Sequence, residues 1–160
     1  MEARPKILII FGYHPKEIFA TEVGEELLRT NSNPGIKIVR YTGRPDRRTS
    51  TYNLRRFVGY FDPLISPIIL HNDDEAGFGA AIVYRVKSQE KIRIARPLLL
   101  GFASRYGGLV FCGGFLMHST NYDLIDIELS SKMGLQKSRC LVNDFAEYLI
   151  DLYINKGIRL

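Results

Sequence analysis

The first forty residues carry the pattern that most restricts the fold of this chain. An apolar run at residues 6–12 predicts a buried strand, residues 17–30 predict a helix with one apolar face, and β-branched residues alternate over 36–41. Two strands joined by a helix pair in parallel with a right-handed crossover, so this order predicts a β-α-β unit. We therefore expect an α/β protein whose sheet packs against helices.

The later elements are predicted from the same periodicities. Further strands share apolar or β-branched content and short length, at residues 67–71, 80–86, 109–112 and 124–129. Residues 92–95 are expected to form a strand beside 80–86, and Pro97 to open a helix, where its missing N–H is tolerated. Apolar residues at three- and four-residue spacing predict a last helix over 137–156, with Gly157 as its cap.

Length and composition predict one domain. The chain has 160 residues and a mass of 18.3 kDa, with 46% hydrophobic and 24% charged residues. These values are ordinary for a globular protein and predict a single catalytic-type domain over residues 1–160. The apolar run at 7–11 is too short for a signal-peptide core, and no apolar stretch is long enough to span a bilayer. A cytoplasmic location without a membrane partner is the expectation.

The positive charge of the chain is concentrated in one predicted loop. The formal net charge is +5 and the pI is about 9.3. Much of the excess comes from five arginines after the second predicted strand, Arg44, Arg47, Arg48, Arg55 and Arg56. Long polar loops inside a compact domain are uncommon unless they carry function. An anionic substrate and an RNA backbone would both suit these guanidinium groups.

Four dispersed residues supply the groups that a zinc hydrolase needs: His14, Glu17, His71 and Glu128. Catalytic zinc commonly takes three protein ligands and keeps a fourth position for water. Each of the four residues lies where a predicted strand ends, and the loops beyond the carboxyl ends of strands are the usual place for reactive groups. The sequence therefore predicts a zinc site on His14, Glu17 and His71.

Each of these predictions has a simpler alternative. His-x-x-Glu is a short pattern, and Glu17 would also suit a helix start, where its charge favours the macrodipole. His118 lies just beyond a predicted strand and is the rival third ligand. Glu128 lies in an apolar strand, where burial raises the pKa of a carboxyl and suits a general base. Asp126, two positions earlier on the same side, is a weaker candidate for that role.

The motifs around these residues resemble those of the zinc carboxypeptidase-like amidohydrolases, and most closely the aspartoacylase and succinylglutamate desuccinylase branch. The matching segments are Gly12-Tyr-His-Pro-Lys-Glu17, Asn53-Leu-Arg-Arg-Phe57, Leu70-His-Asn72 and Ile127-Glu-Leu129, in the order of the family motifs. The resemblance implies a three-layer sandwich with a central mixed β-sheet, zinc carboxypeptidase-like (phosphorylase/hydrolase-like). The chain departs from the family pattern at Pro15-Lys16, Leu54 and Ile69.

The resemblance also implies a role for each site residue. Zn²⁺ would be held by His14, Glu17 and His71, and Glu128 would activate a zinc-bound water. Arg47 would polarise the scissile carbonyl, with Arg44 or Arg48 as possible replacements, and the substrate would be bound by Arg55 and Asn72. The implied activity is hydrolysis of an amide bond in an N-acyl amino acid or small peptide, a small-molecule substrate that bears a carboxylate.

Two other functions remain open from the sequence. One is a basic RNA- or tRNA-associated protein, in which the arginines contact phosphates and Tyr41, Tyr52 and Tyr60 are candidates for base stacking. The other is a catalytically inactive member of the same fold that binds a ligand without turnover. Salt-sensitive binding that ignores chelators would favour the first, and binding without product would favour the second.

Overall fold

A computed structural model describes residues 4–14, 16–42, 50–74, 79–106, 109–112 and 123–160. The strands are β1 (Ile7–Phe11), β2 (Ile36–Arg40), β3 (Ile68–Asn72), β4 (Ala80–Arg85), β5 (Leu109–Cys112) and β6 (Leu124–Leu129). The helices are α1 (Ile18–Thr30), α2 (Ser50–Phe61), α3 (Gln89–Ala103) and α4 (Leu135–Lys156). Short 3₁₀ turns cover Ser104–Tyr106 and Ser131–Met133.

Within the described residues, the six strands form one mixed sheet in the order β2-β1-β3-β6-β4-β5. β1 pairs in parallel with β2 and β3, and β3 pairs in parallel with β6. The predicted β-α-β unit is therefore present. β4 pairs antiparallel with β6. The carboxyl end of β4 therefore lies at the opposite end of the strands from the carboxyl ends of β1, β3 and β6.

The sheet is covered on both faces because side chains alternate along each strand. Ile7, Ile9 and Phe11 of β1 belong to the larger core cluster, which packs α1, α3 and α4 against one face. Leu8 and Ile10 belong to a second cluster, in which α2 covers the other face. Burial on both sides explains why β1 is a continuous apolar run.

The third helix corrects two predictions from the sequence. Residues 92–95 do not form a strand but lie within α3, and Pro97 is inside this helix rather than at its start. Oγ of Ser88 accepts a hydrogen bond from the backbone N–H of Lys91 at 3.3 Å, so Ser88 is the N-cap. A proline at an interior position removes one backbone hydrogen bond, which the packing of α3 on the sheet offsets.

The last helix agrees with the prediction from its periodicity. It begins at Leu135, two residues before the predicted start, and ends at Lys156. Gly157 follows with φ of 65°, the left-handed conformation of a glycine C-cap. None of the helices among the described residues combines the length and hydropathy needed to cross a membrane.

Candidate metal centre

Three polar side chains project from the sheet face that α2 covers. In the register of β3 and β6, Ile69 lies opposite Asp126 and His71 lies opposite Glu128. Residues paired in this way share a face, and Ile69 belongs to the α2-side cluster. His71, Asp126 and Glu128 are therefore neighbours at the end of an otherwise apolar surface.

A tight turn after β1 brings two more groups to the same place. The chain turns at Gly12, which has a φ of 70°, a backbone conformation that glycine adopts more easily than other residues. The backbone N–H of Glu17 then donates a hydrogen bond to the carbonyl of His14 at 3.1 Å. The imidazole rings of His14 and His71 have their centroids 5.3 Å apart. Glu17 occupies the N-cap position of α1, and its carboxylate faces His71.

The first set of possible metal ligands is the predicted one. One ligand atom from each of His14, Glu17 and His71 lies within 4.8 Å of the others. Oε2 of Glu17 is 3.3 Å from Nδ1 of His71, and two ligands bound tetrahedrally at about 2.1 Å lie about 3.4 Å apart. This oxygen is buried and accepts no hydrogen bond of good geometry within the described residues, and Nδ1 of His71 is its charged neighbour. A metal ion bound by these two atoms would satisfy the buried carboxylate, so these residues fit zinc.

A second set shares one residue with the first. His71, Asp126 and Glu128 also offer ligand atoms within 4.8 Å of one another. However, both oxygens of Asp126 are already engaged, one 3.1 Å from Nε2 of His71 and the other by the Nε–H of Arg85. The guanidinium of Arg85 is therefore the cation at this second set.

The electrostatics of the site favour a positive centre among its carboxylates. Burial lowers the pKa of His71, but the surrounding carboxylates, Asp126 first among them, together raise it to about 10. Burial raises the pKa of Asp126, but hydrogen bonding and charge from His71 and Arg85 lower it below its ordinary value. Burial, reinforced by the nearby carboxylates, raises the pKa of Glu128 above its ordinary value. Glu128 is partly buried and lines the cavity at this site, where its carboxylate can accept a proton.

These side chains surround a cavity of about 230 Å³. Its polar lining consists of His14, Glu17, His71, Arg85, Asp126 and Glu128, and Tyr13 and Leu54 are among its apolar walls. A second, larger cavity of about 990 Å³ lies along α1 and also has Tyr13 in its lining.

The other predicted site residues lie elsewhere or outside the described residues. Arg55 is not among the side chains that line the site but borders a separate cavity of about 500 Å³ with Lys91 and Arg159. The side-chain oxygen of Asn72 accepts a hydrogen bond from the backbone N–H of Ala20 instead of facing the cavity. The rest fall outside the described residues: Arg44, Arg47, Arg48 and the rival ligand His118.

Arg85 is the site residue that the sequence did not indicate. The only signal was a cation at the end of the strand predicted over residues 80–86. Its arrival at the site depends on the antiparallel pairing of β4 with β6, which the local sequence does not specify.

The tyrosines considered for RNA binding differ in accessibility. Tyr60 is 85% exposed, whereas Tyr41 is 6% exposed and packs against Tyr13 and Phe57. A buried ring does not offer a face for base stacking, so Tyr41 does not support the RNA-binding alternative. The side chain of Tyr52 lies outside the described residues.

Comparison with known proteins identifies the fold. No protein-family model and no curated protein matches the sequence. Among solved structures, the catalytic domain of the N-acetylmuramoyl-L-alanine amidase CwlV from Bacillus (Paenibacillus) polymyxa var. colistinus superimposes with a TM-score of 0.53 at 14% identity, covering 94% of this chain and 98% of that one. The chain has the fold of an amidase catalytic domain.

Two further amidase structures agree. The N-acetylmuramoyl-L-alanine amidase AmiC2 of Nostoc punctiforme has a TM-score of 0.54 at 10% identity, over 94% of this chain and 98% of that one. The N-acetylmuramoyl-L-alanine amidase from Clostridium difficile 630 has a TM-score of 0.52 at 14% identity, over 97% of this chain and 100% of that one.

The fold overturns the family resemblance drawn from the motifs. The relation to zinc carboxypeptidase-like amidohydrolases, including the aspartoacylase branch, is wrong, and so is the zinc carboxypeptidase-like fold class. The matching motifs place a His and a Glu after one strand, and a His and a Glu at the ends of two other strands. A zinc site requires such side chains in any fold, so the motifs indicate the chemistry of the site and not the fold. Unrelated α/β folds meet the same needs with similar short motifs.

Proposed function

We propose that this chain is a zinc-dependent hydrolase of amide bonds. The observation that carries the proposal is the convergence of His14, Glu17 and His71 beside one cavity, with the carboxylate of Glu128 directly across from His71 on the neighbouring strand. The amidase fold supports the same reaction class.

Glu128 is the proposed general base. Zinc held by His14, Glu17 and His71 would supply Lewis acidity, polarising an amide carbonyl and increasing the acidity of water. Glu128 accepts a proton from the attacking water and returns it to the departing amide nitrogen as the C–N bond breaks. Burial among carboxylates raises its pKa, and a carboxyl with a raised pKa both accepts and returns a proton more readily near neutral pH.

The proposed substrate is an amide whose nitrogen belongs to an amino acid. An N-acyl amino acid has such a bond, and so does N-acetylmuramoyl-L-alanine, the substrate named for the similar amidases. The cavity of about 230 Å³ has room for the part of the substrate around the scissile amide, which both kinds of molecule present.

The test combines metal content with hydrolysis. Elemental analysis of the zinc-loaded chain should find about one zinc ion per molecule, lost in His14→Ala and in His71→Ala. Release of free amine should be measured for two substrate sets, short N-acyl amino acids and muramoyl-L-alanine peptides. Glu128→Gln should retain zinc and lose about 100-fold or more in kcat, because it removes the proton acceptor.

Asp123→Asn is the matched control, since it makes the same kind of change just before β6 and its carboxylate pairs with Lys91 outside the cavity. Its zinc content and kcat should equal those of the unaltered chain. Specific zinc without hydrolysis of either substrate set would contradict the enzymatic proposal and favour a ligand-binding role. A folded chain that takes up no specific zinc would contradict the metal site itself.

A further inference from the structure

The Asp126 carboxylate joins His71 to Arg85 beneath the candidate metal centre. Asp126 is only 3% exposed. Its Oδ1 lies 3.1 Å from Nε2 of His71, and its Oδ2 accepts a hydrogen bond from Nε of Arg85. A buried carboxylate is unfavourable unless both oxygens are satisfied, and here each oxygen has a charged or chargeable partner.

The strand order brings the three residues together. Val83 lies directly opposite Asp126 in the antiparallel pair of β4 and β6, and Arg85 lies opposite Leu124. Arg85 is therefore a diagonal neighbour of Asp126 on the same face, within reach of a long side chain. His71 approaches from β3 on the other side of β6, where Ile69 is the residue opposite Asp126.

The contact with Asp126 determines which nitrogen of His71 is available as a ligand. A neutral imidazole carries its proton on one nitrogen and a lone pair on the other. Carboxylates face both nitrogens of His71, Asp126 at Nε2 and Glu17 at Nδ1. With a metal held by Glu17, Nδ1 would give up its proton, whereas Asp126 would keep the remaining proton on Nε2 and so leave the lone pair on Nδ1. Nδ1 is the atom that lies 3.3 Å from Oε2 of Glu17, in the predicted ligand set.

We propose that Asp126, held in place by Arg85, is a positioning residue that directs Nδ1 of His71 toward the metal held with His14 and Glu17. The guanidinium of Arg85 also fills the cation position at the second ligand set, so the metal is directed to the first. This inference rests on the proposed zinc site and adds to it the two residues that orient its ligand.

The first test is zinc affinity, measured by competition with a chromophoric chelator. Asp126→Ala should weaken zinc binding by about 10- to 100-fold, the usual effect of removing an outer-shell partner of a ligand histidine. Asp126→Asn keeps an oxygen of the same shape facing Nε2, so it should bind zinc more tightly than the alanine variant. Val83→Ala is the matched control, because it shortens the directly opposite side chain on the same face, and its zinc affinity should be unchanged.

Arg85 is tested by a pair of substitutions. Arg85→Lys keeps a cation beside Asp126 and should restore the zinc affinity lost in Arg85→Met, whose side chain is of similar length but uncharged. Thermal unfolding of the metal-free variants would show which of them fold. If Arg85→Met folds and binds zinc as tightly as the unaltered chain, the role of Arg85 is overturned.

The second readout is spectroscopic. In the zinc-loaded, ¹⁵N-histidine-labelled chain, the expected His71 spectrum has a metal-bound Nδ1 and a proton on Nε2, and this proton should exchange faster with water in Asp126→Ala. Coordination through Nε2 would overturn the proposal, because it would place the metal with Asp126 and Glu128. Unchanged zinc affinity in a folded Asp126→Ala variant would overturn it too, while leaving the zinc hydrolase intact if the unaltered chain binds zinc and hydrolyses amides. Absence of zinc from the unaltered chain would overturn both proposals.

Discussion

The side-chain oxygen of Asn72, the last residue of β3, accepts a hydrogen bond from the backbone N–H of Ala20 in the first turn of α1. Glu17, at the N-cap position of this helix, makes no side-chain capping bond. Asn72 therefore provides the hydrogen-bond acceptor for a first-turn N–H of α1 that has no acceptor within the helix. The same bond fastens the start of α1, next to Glu17, to the strand that carries His71.

Asn72→Ala should consequently lower both stability and metal affinity. Loss of a capping hydrogen bond typically costs about 1 kcal/mol, and urea denaturation of the metal-free chain would measure it. Zinc binding should weaken because Glu17 is no longer held against His71. Asn72→Asp, which retains the acceptor oxygen, is the control. An alanine variant with the stability and zinc affinity of the unaltered chain would show that this bond does not position Glu17.

Two helix glycines should respond oppositely to alanine. A Cβ at Gly24 in α1 would lie 2.1 Å from Cγ of Phe11, whereas nothing lies within 4 Å of a Cβ at Gly101 in α3. Gly24→Ala should therefore destabilise the chain by about 1–3 kcal/mol or more, because the buried strand β1 must shift. Gly101→Ala should stabilise it by about 0.5–1 kcal/mol through helix propensity. Chemical denaturation of both variants tests the pair, and a stabilised Gly24→Ala would contradict the close packing of α1 on β1.

Asp74 should make stability depend on pH. Its Oδ1 accepts hydrogen bonds from the backbone N–H and the hydroxyl of Ser131, at 2.7 and 2.8 Å, and these bonds lower its pKa in the folded chain. A carboxyl whose pKa is lower folded than unfolded stabilises the fold above the unfolded value of about 3.9, and this contribution disappears as the pH falls through the folded value. Asp74→Asn removes the charge. The stability difference between the two chains should be largest near neutral pH and vanish in acid.

Denaturation curves at several pH values would measure this difference. Asp144→Asn offers a comparison, because it removes another exposed carboxylate, one that accepts a hydrogen bond from Tyr106 rather than from backbone. A difference for Asp74→Asn that stays constant down to acid pH would mean that the charge of Asp74 is not involved.

The sequence predicted local features of this fold better than its long-range pairings. The strand containing His71 and the strand containing Glu128 were predictable because each is short, apolar and bounded by polar residues. Their adjacency arises from the order of strands in the sheet, which requires pairing between segments more than fifty residues apart. The same limit hid Arg85, whose partner Asp126 is reached only through the antiparallel pairing of β4 with β6.

Local ambiguity accounts for the errors in helix placement. Residues 92–95 are apolar at alternate positions, which suits a strand as well as one face of a helix, and the N-cap at Ser88 was the decisive feature. The helix α2 was not predicted, because its arginines Arg55 and Arg56 were assigned to a polar loop. Its buried face is made by Leu54 and Val58, four residues apart.

Metal removal should lower the stability of the whole domain, because the three proposed ligands come from two separate segments of the chain. His14 and Glu17 follow β1, whereas His71 lies on β3, and the unfolded chain does not hold them together. A ligand that binds only the folded state stabilises it by RT ln(1 + [L]/Kd), or about 2.7 kcal/mol at a free zinc concentration 100 times Kd.

Thermal unfolding with and without a chelator should show this gain in stability for the unaltered chain and not for His14→Ala. Glu128→Gln should keep the gain, since Glu128 is proposed to accept a proton rather than to hold the metal. If the Gln variant lost the stabilisation and the His14 variant retained it, the metal would belong to the second ligand set, with His71, Asp126 and Glu128.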